Sequence, residues 1–235
     1  MVYLSGVTAH APSAPWLAEA QSGSAAATEN VGLLYRGGLD VQPDPALAFA
    51  WAKAAALRGL ACAEANLGML LSRGIGCQQN FTEAALWYRR AAAQGDHAGA
   101  LGLGILHEGG LGVPKDIAEA MRWYRRAAEG GNHVAAVALG LLILSSGEPD
   151  PDEARRWLSD PASRGYAQAQ YGMGLLALRA ADHARARLWF AKAATQGHAG
   201  ARSALASAGA ADHAAAWPSG QVCPKSTRAH SKRAR

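Results

Sequence analysis

The chain has 235 residues, 50% of them hydrophobic, enough for one or two ordinary domains. Its formal charge of +5 sits at one end: residues 1–220 hold 18 Lys/Arg and 18 Asp/Glu, and the excess is Lys225, Arg228, Lys232, Arg233 and Arg235. A neutral body gives no support to specific nucleic-acid binding, and the basic excess describes a tail rather than a folded surface.

Alanine is abundant and β-branched residues are few, so intrinsic propensity points to an all-α chain. In such a chain the 27 glycines belong at helix ends or where two backbones approach closely. Three cysteines, Cys62, Cys77 and Cys223, have no CxxC spacing, which argues against a disulfide framework or a zinc site and suits a reducing compartment. The N-terminal stretch lacks a basic region followed by an apolar run, and no segment of about 18 apolar residues could span a membrane. A cytoplasmic protein without a membrane span is the expectation.

Along the chain, residues 1–22 come first, where "APWLAEAQSG" reads as a short capping helix with Pro15 near its start. Residues 23–211 then repeat one frame five times. Trp51, Trp87, Trp123, Trp157 and Trp189 are spaced by 36, 36, 34 and 32 residues. Seven positions before each stands Asp44, Asn80, Asp116, Asp150 or Asp182. Three positions before stands Ala48, Ala84, Ala120, Ala154 or Ala186, and eight positions after stands Gly59, Gly95, Gly131, Gly165 or Gly197. The Asp or Asn is a helix N-cap, whose side-chain oxygen accepts from free first-turn N–H groups. Pro45 and Pro151 suit the first helical position. Glu83, Glu119 and Glu153 stand three residues after their caps, as in a capping box. The closing glycine suits a left-handed C′ position. Each span is therefore a helix of about four turns, the second helix of a repeating unit.

Nine residues beyond these glycines, and beyond Gly23, lies another: Gly32, Gly68, Gly104, Gly140 and Gly174. Val31, Leu67, Leu103, Leu139 and Met173 precede them. This pattern predicts a first helix with glycine at the closest helix–helix contact. The turns "SRGIGCQQN" and "EGGLGVPKD" follow in two units, whereas "SSGEPDPD" and "RAADH" predict tighter turns in the fourth and fifth. "HAGARSALASAG" reads as a last first-type helix with Ala206 at the glycine position. Residues 212–235, with Pro218, Pro224 and the basic cluster, are predicted to form a flexible tail.

The stretch "LGLGILHEGGLGVPKDIAEAMRWYRRAAEGGN" resembles the Sel-one-like repeat (SLR), a relative of the tetratricopeptide repeat, and the likeness extends over about residues 23–208. Leu71 and His107 depart from it where the pattern usually has Tyr; Tyr35 keeps it. The resemblance implies a right-handed α-solenoid of about five helix pairs with capping helices. It also implies an adaptor or scaffold role, in bacterial signalling or cell-envelope assembly among others. Cysteine-rich relatives are associated with β-lactam binding or hydrolysis, but they carry a regular disulfide in each repeat, and three irregular cysteines do not supply one.

The repeated tryptophans fit helix packing better than a stacking ladder. The pairs Arg89–Arg90, Arg125–Arg126 and Arg155–Arg156 fit a solvated face near helix C-termini. His97, His133 and His198 recur at the starts of first helices, no HExxH occurs, and Gly109, Gly110 and Gly112 lack the Lys-Ser/Thr of a phosphate loop. No catalytic residue, metal or cofactor is expected. The feature left for function is the apolar residue after each first-helix glycine: Leu33, Met69, Ile105, Leu141 and Leu175. By analogy with tetratricopeptide solenoids these face a concave groove, bordered by Glu29, Arg36, Arg73, Glu108, Gln168, Tyr171 and Arg179. Such a stripe suits a helical or extended segment of a protein partner; the competing reading packs the same residues between repeats. A monomer is expected, with at most salt-sensitive attachment of the tail to nucleic acid or an anionic membrane.

Overall fold

The structure, a computed structural model, describes residues 43–147 and 149–215. The expected N-terminal capping helix, Gly32, Leu33 and Arg36 lie outside the described residues, as does the tail from residue 216. Ten α-helices follow one another among the described residues. They fall into two compact units that meet in sequence at Gly165 and Tyr166. The first contains α1 (Pro45–Ala56), α2 (Ala61–Arg73), α3 (Phe81–Ala93), α4 (His97–Gly109), α5 (Ile117–Glu129), α6 (His133–Ser145) and α7 (Pro151–Ser163). The second contains α8 (Ala167–Arg179), α9 (His183–Thr195) and α10 (Ala199–Ala215). Within each unit every helix packs on the next in the chain, the layering of an α-solenoid. α10 carries the helix past residue 211, where the sequence pattern placed its end.

The caps stand where the sequence puts them. Asp44, Asn80, Asp116, Asp150 and Asp182 each accept from first-turn N–H groups of the second-type helices, the contact from Asp116 to the Glu119 N–H measuring 2.9 Å. Pro45 and Pro151 open α1 and α7. Gly59, Gly95, Gly131, Gly165 and Gly197 all have φ between 82° and 94°, the left-handed stop.

Two of the capping-box N–H groups are taken by the preceding helix. The N–H of Asn80 donates to the Leu71 carbonyl and that of Asp116 to the His107 carbonyl, both at 3.0 Å. The preceding helix has already satisfied the donor that the glutamate would serve. Glu83 accepts instead from the Asn80 side-chain amide at 3.4 Å, while Glu119 pairs with Arg122 at 2.9 Å and Glu153 with Arg125 at 2.7 Å.

The glycine of each first helix lies under a side chain of the second. A Cβ at Gly68 would stand 2.7 Å from the Tyr88 ring, at Gly104 2.5 Å from Tyr124, and at Gly140 2.6 Å from Leu158; Gly174 meets Phe190 in the same way. These partners stand one residue after Trp87, Trp123, Trp157 and Trp189. All four are buried, as are Leu67, Leu103 and Leu139 beside them. The alanines three residues before each tryptophan are also fully buried. Trp51 and Trp87 are buried; Trp123, Trp157 and Trp189 are half-buried. The guanidiniums of Arg90 and Arg126 lie 4.7 and 5.7 Å from the rings of Trp87 and Trp123, and Lys192 4.6 Å from Trp189.

Turn length follows the sequence. Residues 74–80 and 110–116 form the glycine-rich turns, while 146–150 and 180–182 suffice in the later repeats. In the shortest, Ala181 takes a positive φ of 57° where earlier turns use glycine. Gly76 and Gly112 have a second duty: their Cα atoms lie against the first residues of α1 and α3 in the preceding repeat. At Gly112 a Cβ would come within 2.5 Å of the Phe81 and Thr82 backbone, at a φ of 65°. Gly112→Ala therefore combines left-handed strain with a backbone clash, and about 2 kcal/mol or more of stability should be lost. Gly131→Ala, at φ 87° with open space around the Cβ, should cost only about 1–2 kcal/mol. Urea unfolding of the two variants measures the difference; equal losses would show that the inter-repeat contact at Gly112 is slack.

Candidate interaction surface

The predicted stripe is carried by α2, α4 and α6 in the first unit. Their buried sides hold Leu67, Leu103 and Leu139 beside the glycines, so the next residue in each helix is turned partly away from the core. Met69 and Leu141 are half-buried, and Ile105 is 48% exposed between buried Gly104 and Leu106. α2 and α4 touch directly, which brings the Met69 and Ile105 positions onto neighbouring helices. Arg73 ends α2 and is exposed. Glu108 is half-buried and accepts a 2.6 Å hydrogen bond from the Tyr124 hydroxyl. Burial and the Glu108 carboxylate push that hydroxyl's pKa far up, so it remains a donor. Tyr88 and Ser72 make the equivalent contact in the preceding hairpin at 3.3 Å. Glu108 thus holds a hairpin together as well as bordering the stripe.

In the second unit the same offset leads to a different environment. Leu175 and Tyr171 pack against the core of Ala177, Ala186, Phe190, Ala193 and Ala201. Tyr171 stacks on His198 with ring centroids 4.5 Å apart, and His198 Nδ1 accepts from the Ala201 N–H at 3.2 Å as a helix cap. Gln168 and Arg179 are exposed.

The arginine pairs divide. Arg89, Arg155 and Arg156 are exposed, as a solvated face requires. Arg126 is more than that: its guanidinium donates to the Ala92 carbonyl at 2.6 Å, tying α5 to the C-terminal end of α3. Arg125 reaches Glu153, joining α5 to α7, and holds that carboxyl below its ordinary value. The recurring histidines dock at the ends of later helices: His97 lies against Gly130, and His133 Nδ1 is 3.3 Å from Asp160. No group of three His, Cys, Asp or Glu placed to hold a metal occurs among the described residues. Cys62 is exposed, and the half-buried Cys77 thiol donates to the Leu70 carbonyl at 3.8 Å.

Comparison with known proteins follows the same frame. The model of the Sel1 repeat matches residues 25–60, 63–96, 97–132, 133–159 and 165–198. The chain belongs to the Sel1-repeat family. A Sel1 repeat protein from Oxalobacter formigenes is similar at 34% identity and a TM-score of 0.65, over 76% of each chain. A protective antigen of uropathogenic Escherichia coli displaying an SLR fold is similar at 29% identity and a TM-score of 0.73 over 82% of this chain. This Sel1-repeat chain spans only 43% of that antigen's length. A Sel1 repeat protein from Klebsiella pneumoniae, at 21% identity and a TM-score of 0.55, shares the fold over 83% of this chain and 97% of its own. No curated protein sequence matches the chain. No helix among the described residues is long and apolar enough to cross a membrane.

The Arg125–Glu153 pair gives a pH signature. Because the folded value of Glu153 is depressed, its stabilisation is present above the ordinary glutamate value of 4.5 and is lost as pH falls through the lower folded value. Glu153→Gln should therefore lower stability at neutral pH, by up to about 1 kcal/mol for a partly exposed pair. In urea unfolding near pH 3 the gap to the parent protein should narrow. An unchanged gap would mean that the two side chains are not coupled.

Proposed function

We propose that this Sel1-repeat protein is a non-enzymatic interaction scaffold. It holds a helical or extended segment of a protein partner along the stripe of Met69, Ile105 and Leu141. The observation that supports this reading is Ile105, a large aliphatic side chain left 48% exposed in an otherwise closely packed helix. Its repeat equivalents Met69 and Leu141 extend an apolar row on the same kind of helix. Arg73 and Glu108 supply opposite charges at its border. Family membership supports the same class of role, since stacked repeats expose extended surfaces suited to partner segments. A bacterial, cytoplasmic setting and a monomeric state complete the proposal. The β-lactam reading is disfavoured because three irregularly spaced cysteines cannot supply a disulfide in each of five repeats.

Burying an aliphatic side chain of this size on a partner is worth about 1.5–3 kcal/mol, or roughly tenfold or more in affinity. Met69→Glu and Ile105→Glu should reduce partner capture by at least that factor, read by affinity capture and mass spectrometry, while the helical melting curve stays close to the parent's. Unfolding of both variants would instead make these residues part of the packing between repeats.

A further inference from the structure

Two polar side chains are sealed among the described residues, Glu64 at 4% exposure and Gln170 at 5%. They occupy the same place in their repeats, four residues before Gly68 and Gly174. Each receives a hydrogen bond from a glutamine seven residues after the repeat tryptophan: Gln94 Nε2 to Glu64 Oε2 at 2.7 Å, and Gln196 Nε2 to Gln170 Oε1 at 2.8 Å. In each hairpin the turn joins the end of the first helix to the start of the second. The glutamine bond therefore clasps the opposite, open end, one clasp being ionisable and the other a neutral amide.

We propose that Glu64 makes the α2–α3 hairpin acid-tightened: protonated, it is a neutral clasp like Gln170; ionised, it is a sealed charge that loosens the open end.

Gln94 and Arg90, both toward the end of α3, act on the carboxyl. Arg90 is held over the Trp87 ring, and the guanidinium and the carboxyl form no ion pair within 4 Å among the described residues. Charged groups on the other helices packed against α2 have partners elsewhere. Lys53 of α1 lies over Phe49, and in α4 His97 lies against Gly130, His107 contacts the Pro114 carbonyl and Glu108 takes the Tyr124 hydroxyl. Loss of hydration outweighs Gln94 and Arg90 and raises the carboxyl above the ordinary 4.5. The stabilisation is then complete below the ordinary value and is lost as pH rises through the higher folded value.

Hydrogen exchange on the full-length protein, corrected for intrinsic exchange chemistry, tests this at about pH 5 and about pH 8. The α2–α3 amides should open more at the higher pH, by about threefold or more if the carboxyl is raised by about one unit, since pH 5 already lies above the ordinary 4.5, and α8–α9 should not respond. Glu64→Gln should remove the change. Gln170→Glu should transplant it to α8–α9, which keeps the test decisive if the first variant folds poorly. A pH response that survives Glu64→Gln, its absence from the parent protein, or greater opening in acid would overturn the proposal.

Discussion

The close approach of two helices in each hairpin governs the rest of this structure. A ring or a leucine from the second helix rests on a bare Cα of the first: Tyr88 on Gly68, Tyr124 on Gly104, Leu158 on Gly140 and Phe190 on Gly174. A glycine within a helix costs roughly 1 kcal/mol relative to alanine, so four at one offset must be offset by packing. The gain comes from sealing a large side chain with no void beside it. Once that distance is set, the alanines three residues before each tryptophan can only be small. Trp51 and Trp87 are still buried, Trp123, Trp157 and Trp189 half-buried, and Arg90, Arg126 and Lys192 cover the rings of Trp87, Trp123 and Trp189.

Successive repeats of the first unit are tied by polar and turn contacts as well as by packing, the Tyr88 ring lying also against Gly102 of the next repeat. Arg126 caps the end of α3 through the Ala92 carbonyl, Arg125 reaches forward to Glu153, and Gly112 lies on the start of α3. These contacts give one arginine of the first Arg-Arg pair, and both of the second, a place in the packing. Arg90, Arg125 and Arg126 are directed at an aromatic face, a carboxylate and a carbonyl of the solenoid itself, and Arg155 pairs with Asp152, whereas Arg89 and Arg156 are exposed. The proposed partner surface of this Sel1-repeat protein lies instead on the first-type helices.

Much of the fold was legible in the sequence because a repeat states each constraint several times. Caps, left-handed glycines, buried alanines and shortened turns all follow from fixed offsets to tryptophan. The residue after tryptophan was not legible in the same way. Tyr, Tyr, Leu and Phe share size but not chemistry, so identity matching overlooks the position that lies on the glycine. The capping boxes at Asn80 and Asp116 stay open for a reason of packing: carbonyls of the preceding helix take the cap N–H groups. The candidate stripe was only partly readable. The offset after glycine was correct for exposure at Ile105, but the same offset at Leu175 packs against the second unit's core. A single sequence distinguishes those environments poorly, because both require an aliphatic residue. The clasp positions of Glu64 and Gln170 were hidden for the opposite reason, since polar residues in an amphipathic helix ordinarily read as solvent-facing.

A double-mutant cycle on Gly104 and Tyr124, followed by urea unfolding, tests the central contact most directly. If the ring sits on the bare Cα, Gly104→Ala destabilises the parent protein. In a Tyr124→Ala background the added methyl meets no ring, and alanine's helix preference of about 1 kcal/mol makes the same change neutral or stabilising. The coupling should fall in the range of about 0.5–3 kcal/mol seen for contacting residues. An equal cost of Gly104→Ala in both backgrounds would contradict the contact and, with it, the explanation of the glycine frame.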